Sequence, residues 1–183
     1  MPRIPAQTID SAPAETGAMP ESLARRMGKL LNIHAGMAHS PVVLATYTAM
    51  NEAIAAHGTF DARTREAIAL AVGAVDGCDY CQAAHTVSAK TAGFSEQQTV
   101  AIRRGEVDFD DQLAALVVVV REAAMHTGDV SDQAWECARQ AGWIDEQLSE
   151  AFAHLAANLY TNYFNHYART ELDVPPAPAL AGQ

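Results

Sequence analysis

Basic residues are scarce in this chain: 12 lysines and arginines stand against 22 aspartates and glutamates in 183 residues, a formal net charge of −10. Binding to nucleic acid needs a basic excess that displaces counterions from phosphates, so a nucleic-acid partner is excluded as an expectation. Docking on an anionic membrane surface is excluded on the same ground. Long apolar runs are missing too. The longest, Leu113 to Val120, falls well short of the roughly 20 residues that cross a bilayer as a helix. The chain does not open on a charged, then apolar, then small-residue signal, so a cytoplasmic location is the expected one. Aromatics amount to only 7% while apolar residues reach 49%, a balance that favours packed helices over sheets. Cysteine is rare, with three in all and two of them spaced Cys-x-x-Cys. An odd count with that spacing does not suit a secreted disulfide scaffold; in a reducing compartment it points to redox chemistry or metal binding.

What is present reads as helix almost throughout a single domain over residues 20–173. Before it, residues 1–19, with Pro2, Pro5 and Pro13, suggest an extended arm laid across a neighbouring subunit. After it, residues 174–183, with Pro175, Pro176 and Pro178, suggest an extended tail. Within the domain, Glu21 to Asn32 has amphipathic spacing, and Ser40-Pro41 suits a capped start for a helix running to His57. Asp61 is placed to cap a helix to Val75, and Cys78 opens another to Ala92 after the Asp76-Gly77 break. Ser95 and Gln98 form a capping-box pattern. Asp110 to His126 is expected as a long buried helix, Ser131 to Ala141 as a short one, and Asp145 as the cap of the last, to Arg169. Gly93-Phe94 and Gly142-Trp143 repeat one joint, a left-handed glycine followed by an aromatic plug.

Chemistry concentrates on one stripe. Positions i, i+3 and i+7 share a helix face, which groups Cys78, Cys81 and His85. Cys78 stands at the helix start, where free N–H groups and the helix dipole favour a thiolate. His85 is placed to act on Cys81. Glu66 lies on the preceding antiparallel helix at a similar distance from the Asp76-Gly77 turn, so its carboxylate can orient the imidazole.

The pattern of Glu66, eleven residues, Cys78-x-x-Cys81, three residues and His85 resembles the signature of the alkylhydroperoxidase D and carboxymuconolactone decarboxylase-like family. The likeness extends to Ala38-His39-Ser40-Pro41 ahead of Tyr47, to Arg65-Glu66, and to Asn158-x-x-x-Asn162-Tyr163-Phe164-Asn165-His166, which resemble the peroxidase-related branch. The resemblance implies an all-α, AhpD-like helical bundle that assembles as a trimer or hexamer, and a peroxidase without a cofactor beyond a redox-active Cys78–Cys81 disulfide. On that likeness Cys81 attacks the peroxide, Cys78 protonates the leaving oxygen and closes the disulfide, and Glu66 and His85 withdraw the Cys81 proton. A thiol or lipoyl-bearing partner then reduces the pair. One position departs from the pattern: Tyr80 stands where alkylhydroperoxidase D proteins carry a histidine before the second cysteine.

Other readings of the same residues stand beside this one. Two cysteines, a histidine and a glutamate are a chemically acceptable zinc set. The thiols would be inert if they served only as small core residues. The fold would also suit a thiol–disulfide exchanger, a redox sensor or a decarboxylating lyase. Cys137 is expected to be a packed small residue, Asn162 and His166 to belong to a helix surface or an interface, and His39 to local cap chemistry. Glu52 is a candidate for burial.

Overall fold

A computed structural model describes residues 1–180; the last three positions of the tail lie outside the described residues. Nine α-helices follow one another among them: α1 (Met19–Met27), α2 (Asn32–Met37), α3 (Pro41–His57), α4 (Ala62–Val75), α5 (Asp79–Thr91), α6 (Glu96–Arg104), α7 (Asp111–Met125), α8 (Asp132–Gln140) and α9 (Asp145–Ala168). The all-helical, single-domain expectation holds among the described residues.

Helix α4 is the axis of the bundle and packs against α5, α6, α7 and α9. Its sequence explains the position. Ala67, Ile68, Ala69, Leu70, Ala71, Val72 and Gly73 are consecutively buried, and such small or aliphatic side chains let neighbouring helices approach from every side. The larger core gathers α4, α7 and α9 around Ile68, Leu70, Leu116, Val120 and Leu155. A second cluster joins Leu23, Leu31, Ile33, Met37 and Leu44 from the N-terminal helices to Cys78, Tyr80 and Cys81. The thiols therefore sit where the N-terminal helices close over α5.

The caps follow the sequence in most places. Asp61, Asp110 and Ser131 accept from the third residue of their helices, and Ser95 with Gln98 makes the reciprocal capping box. Val117 to Val120 is helix, with Val118 turned outward. Both glycine–aromatic joints form, with φ of +97° at Gly93 and +101° at Gly142.

Three expectations are corrected. The Glu21–Asn32 helix is broken at Gly28 (φ +80°), and Asn32 instead begins the short, buried α2. A six-residue helix presents too few turns for periodicity to reveal it. Asp145 is the first helical residue of α9 rather than its cap; Ile144 holds the cap position, its N–H donating to the Gln147 side chain at 3.3 Å. Ser40 precedes α3 but its hydroxyl makes no capping bond. The N-terminal arm makes contacts within its own chain. Arg3 N–H donates to Ala168 C=O (2.7 Å) and Gln7 N–H to Ala35 C=O (3.2 Å), and a 3-10 turn forms at Ala14–Thr16. His39, rather than capping a helix, donates from Nε2 to Pro5 C=O at 2.8 Å and so pins that arm.

One carboxylate fastens the α3–α4 loop to α9. Glu150 accepts from Thr59 N–H (2.8 Å), Thr59 Oγ1 (2.6 Å) and Phe60 N–H (3.2 Å), and His154 donates to it at 3.3 Å. Burial alone would raise its pKa, but these donors hold it below the ordinary carboxylate range. Glu150→Ala leaves the two amides without their acceptor, and we expect urea denaturation to show a loss of about 2 kcal/mol. The carboxylate's contribution is present above the unfolded glutamate pKa of roughly 4.3 and disappears as pH falls through the lower folded value. The difference between wild type and Glu150→Ala should therefore shrink on acidification, and a difference independent of pH would contradict this account.

Candidate active site

Gly77, with φ +61°, turns the chain between α4 and α5 in a conformation that favours glycine. The turn is tight: Cys78 N–H donates back to Gly73 C=O at 2.9 Å. Cys78 then occupies the N-cap of α5, and its sulfur accepts the backbone N–H of Cys81 at 3.3 Å. A thiol thus fills the role usually taken by a serine or aspartate oxygen. Both cysteines are reduced and nearly enclosed, Cys78 at 1% and Cys81 at 3% exposure.

The two sulfurs differ in acidity. Cys81 donates its thiol proton to Cys78, which is the largest influence bringing Cys78 down to about 7 against the opposing effect of burial; the Cys81 amide, His166 and Asn165 add to it. The same hydrogen bond, and then burial, push the Cys81 thiol far upward. In the reduced resting pair the shared proton stays on Cys81 and the negative charge on Cys78.

His85 and Glu66 meet as the helix arithmetic anticipated, with Nδ1 donating to Glu66 Oε2 at 2.8 Å. That bond leaves Nε2 as the imidazole's exchanging nitrogen. Burial would lower the His85 pKa, but the Glu66 charge and hydrogen bond raise it above its ordinary value. His85 shares with Cys81 a cavity of about 410 Å³, enclosed also by Leu31, Ile33, Tyr47 and Val87. It also lines a second cavity of about 400 Å³ that contains Glu66. Cys78 opens elsewhere, onto a cleft of about 370 Å³ beside His166 and Arg169.

The sequence marked Asn158, Asn162 and Asn165 only as part of the family likeness and Tyr80 only as a departure from it; their contacts were not anticipated. Asn165, on α9, donates from Nδ2 to Cys81 Sγ (3.2 Å) and Cys78 Sγ (3.8 Å) and so touches both sulfurs. Asn158, Asn162 and Asn165 are all buried; their i, i+4, i+7 spacing on an otherwise amphipathic helix was the available signal. Asn162 belongs neither to the surface nor to an exposed interface: it is fully enclosed and donates to Asp76 Oδ2 at 2.7 Å. His166 donates to the Asp76 carbonyl at 3.0 Å, so both residues brace the turn that leads into Cys78.

Tyr80 is an anchor. Its hydroxyl donates to Asp173 Oδ1 at 2.6 Å, and burial followed by Asp173 pushes its pKa far above the ordinary phenol value. Asp173 also takes the Lys29 ammonium (3.0 Å) and the Asn32 N–H (3.3 Å). Farther along, Arg103 holds Gln82 (2.9 Å) and the Pro178 carbonyl (2.6 Å). The tail is thereby strapped across the mouth of the Cys81 cavity, to which Val174 and Pro175 contribute. Cys137 and Glu52 are exposed, contrary to the expected packing of the one and burial of the other. Among the described residues, no group of three or more His, Cys, Asp or Glu side chains is placed to hold a metal ion.

An all-helical bundle with a buried Cys-x-x-Cys pair at a helix start, backed by a histidine–carboxylate pair, defines a helical dithiol protein. Residues 41–122, which include Glu66, both cysteines and His85, match the model of the carboxymuconolactone decarboxylase family. Over that region the chain is similar to the family, and the match covers the four motif residues. Among solved structures it is similar to the alkylhydroperoxidase AhpD core of an uncharacterized peroxidase-related protein from Ralstonia eutropha JMP134. The TM-score is 0.83 at 18% identity, over 94% of this chain and 92% of that one. An uncharacterized peroxidase-related protein from Silicibacter sp. TM1040 matches with TM-score 0.79 at 18% identity, over 100% and 97%. A cysteine-to-alanine variant of the debrominase Bmp8, in complex with 2,3,4-tribromopyrrole, matches with TM-score 0.79 at 15% identity, over 93% and 91%. No curated protein matches the sequence.

The thiol assignment has a direct readout. Thiolate absorbance or iodoacetamide reactivity of the reduced protein is expected to rise with a midpoint near the Cys78 value of about 7. Cys78→Ser should abolish that transition. A midpoint that persists in Cys78→Ser and vanishes in Cys81→Ser would overturn the assignment.

Proposed function

We propose that this protein is a thiol-dependent hydroperoxide reductase that cycles between the reduced Cys78–Cys81 pair and its disulfide. The observation that carries this reading is the position of Cys81, hydrogen-bonded to an N-cap thiolate and lining one cavity with His85, which Glu66 holds at 2.8 Å.

The steps follow from where the protons rest. In this scheme the pair is singly ionised with its proton on Cys81, and His85, whose pKa Glu66 raises, supplies the second proton. Cys81 passes its proton across the shared hydrogen bond to Cys78 and attacks the outer peroxide oxygen. The O–O bond breaks, Cys81 becomes the sulfenic acid, and Cys78 protonates the departing alkoxide. The Cys78 thiolate then attacks the Cys81 sulfur, and the hydroxide expelled takes the proton from His85 as water. The sum is one peroxide and two thiols giving an alcohol, water and a disulfide. A dithiol reductant, free or carried on a lipoyl-bearing protein, restores the pair and is itself oxidised.

Cys81 takes the attacking role despite its higher pKa because it is the sulfur that lines the cavity shared with His85. Cys78, rather than the Glu66–His85 pair that the family likeness implied, serves it first as base and then as acid. In this scheme the chain needs no cofactor besides the disulfide and acts in the reducing cytoplasm. It assembles as a trimer or hexamer, and the exposed aromatic stripe Phe152, Tyr163 and Tyr167 on α9 is the face offered for contact. No helix among the described residues is long and apolar enough to cross a membrane.

Peroxide consumption with dihydrolipoamide or dithiothreitol is expected in wild type and absent in Cys81→Ser and Cys78→Ser. His85→Ala should be slower by about 10²-fold or more, the range for a lost acid–base group. Activity retained in Cys81→Ser would reverse the order of attack. Clean disulfide formation without turnover would leave a disulfide exchanger or sensor.

The tyrosine makes a separate prediction. Its proton is committed to Asp173, so Tyr80→Phe should keep the peroxidase rate while lowering stability by about 1 kcal/mol for the lost hydrogen bond. A collapse of rate in a folded Tyr80→Phe protein would show that the phenol takes part in proton transfer.

A further inference from the structure

The Cys81 cavity holds a polar group for which neither the fold nor the thiol cycle has a use. His34, on α2, is 3% exposed and lines the cavity, yet its Nδ1 is buried without a hydrogen-bond partner. Buried polar atoms are paired as a rule, so an exception at a cavity wall needs a partner, which an ordered water or a ligand atom supplies. The ring is held in place against Tyr47, with centroids 5.1 Å apart. Burial first, then Arg26, lowers its pKa to about 4, so at neutral pH it is an uncharged imidazole that offers one donor and one acceptor.

The rest of the wall says what kind of molecule fits. Leu31, Ile33, Ala84, Val87 and Val174 give it an apolar body. Its charged groups are already matched within the protein: Lys29 with Asp173 at 3.0 Å and His85 with Glu66 at 2.8 Å. An ionised ligand would therefore enter without a free counter-charge, at a desolvation cost. The volume of about 410 Å³ exceeds the about 150 Å³ that already accommodates benzene.

We propose that His34 is a substrate-positioning residue, hydrogen-bonding the polar end of a small, uncharged, apolar-bodied molecule so that its reacting group lies against Cys81. Identifying that group as a hydroperoxide rests on the peroxidase reading above; the binding role of His34 does not.

The test uses the reduced full chain and two probes that cannot oxidise a thiol: 2-phenylpropan-2-ol, the alcohol of cumene hydroperoxide, and cumene, which lacks the hydroxyl. In protein labelled with 15N at histidine, the alcohol is expected to shift the His34 ring-nitrogen resonances, and cumene is not. His34→Phe should weaken alcohol binding about tenfold, the worth of one hydrogen bond, while cumene affinity is unchanged. His34→Asn should recover most of the loss. Alcohol binding without a His34 shift, or equally tight in His34→Phe, would overturn the proposal. If His34→Phe also loses cumene, the cavity itself is damaged and the wild-type resonance decides. The two readings fail separately. An unchanged KM for cumene hydroperoxide in an active His34→Phe enzyme would remove His34 and spare the peroxidase. Intact alcohol binding with no peroxide turnover would do the reverse.

Discussion

A sulfur atom caps α5. Because Cys78 occupies the N-cap, its Sγ must face the amide of Cys81, and the helical turn between them brings the two sulfurs into one hydrogen-bonded pair. The Gly77 turn and the bond from Cys78 N–H to Gly73 C=O set that cap against the end of α4, the central helix of the bundle. The rest of the site is arranged around the resulting charge. Asn165 reaches both sulfurs from α9, His166 and Asn162 brace Asp76 beneath the turn, and His85 stands one helical turn beyond Cys81 with Glu66 behind it. A thiolate at a helix N-terminus meets free N–H groups and a favourable dipole, so a charge that burial would otherwise suppress is retained.

The same geometry separates acidity from access. Cys78 carries the lowered pKa and opens onto the cleft beside Arg169; Cys81 carries the proton and lines the cavity. A thiol that is protonated at rest but hydrogen-bonded to a thiolate can exchange its proton within one contact, without a solvent-exposed base. The strap made by Asp173 and Val174, fixed through Tyr80, Lys29 and Asn32, limits what reaches that sulfur. The fold alone does not dictate the chemistry, since a debrominase and peroxidase-related proteins share it with this chain. The cavity wall differs in kind from the thiol motif, being mainly apolar and drawn from several helices and the tail.

Helix α5 and the four motif residues at and around it were legible because their relations are local. Spacings of three and seven place Cys78, Cys81 and His85 on one face whatever surrounds them, and one antiparallel turn brings Glu66 alongside. The caps at Asp61, Ser95, Asp110 and Ser131 were legible for the same reason: each is a bond between residues three apart. Where an expectation failed, the cause was distant. Helix α2 is too short to show a period and is held by burial beneath neighbouring segments. Cys137, on the outward face of α8, is exposed because amphipathicity there is set by what α7 offers the helix.

By itself, then, the sequence determined the helical class, most helix boundaries, and the thiol–histidine–carboxylate set, all consequences of local spacing and of charge and composition. Tertiary structure alone decided which sulfur carries the charge and which one faces the cavity. It alone brought Asn165 from α9, Asp173 from the tail and His34 from α2 to a site on α5. Contacts between residues far apart in the chain leave no periodic trace, and acidity depends on which donors and how much solvent surround a sulfur once the helices have packed.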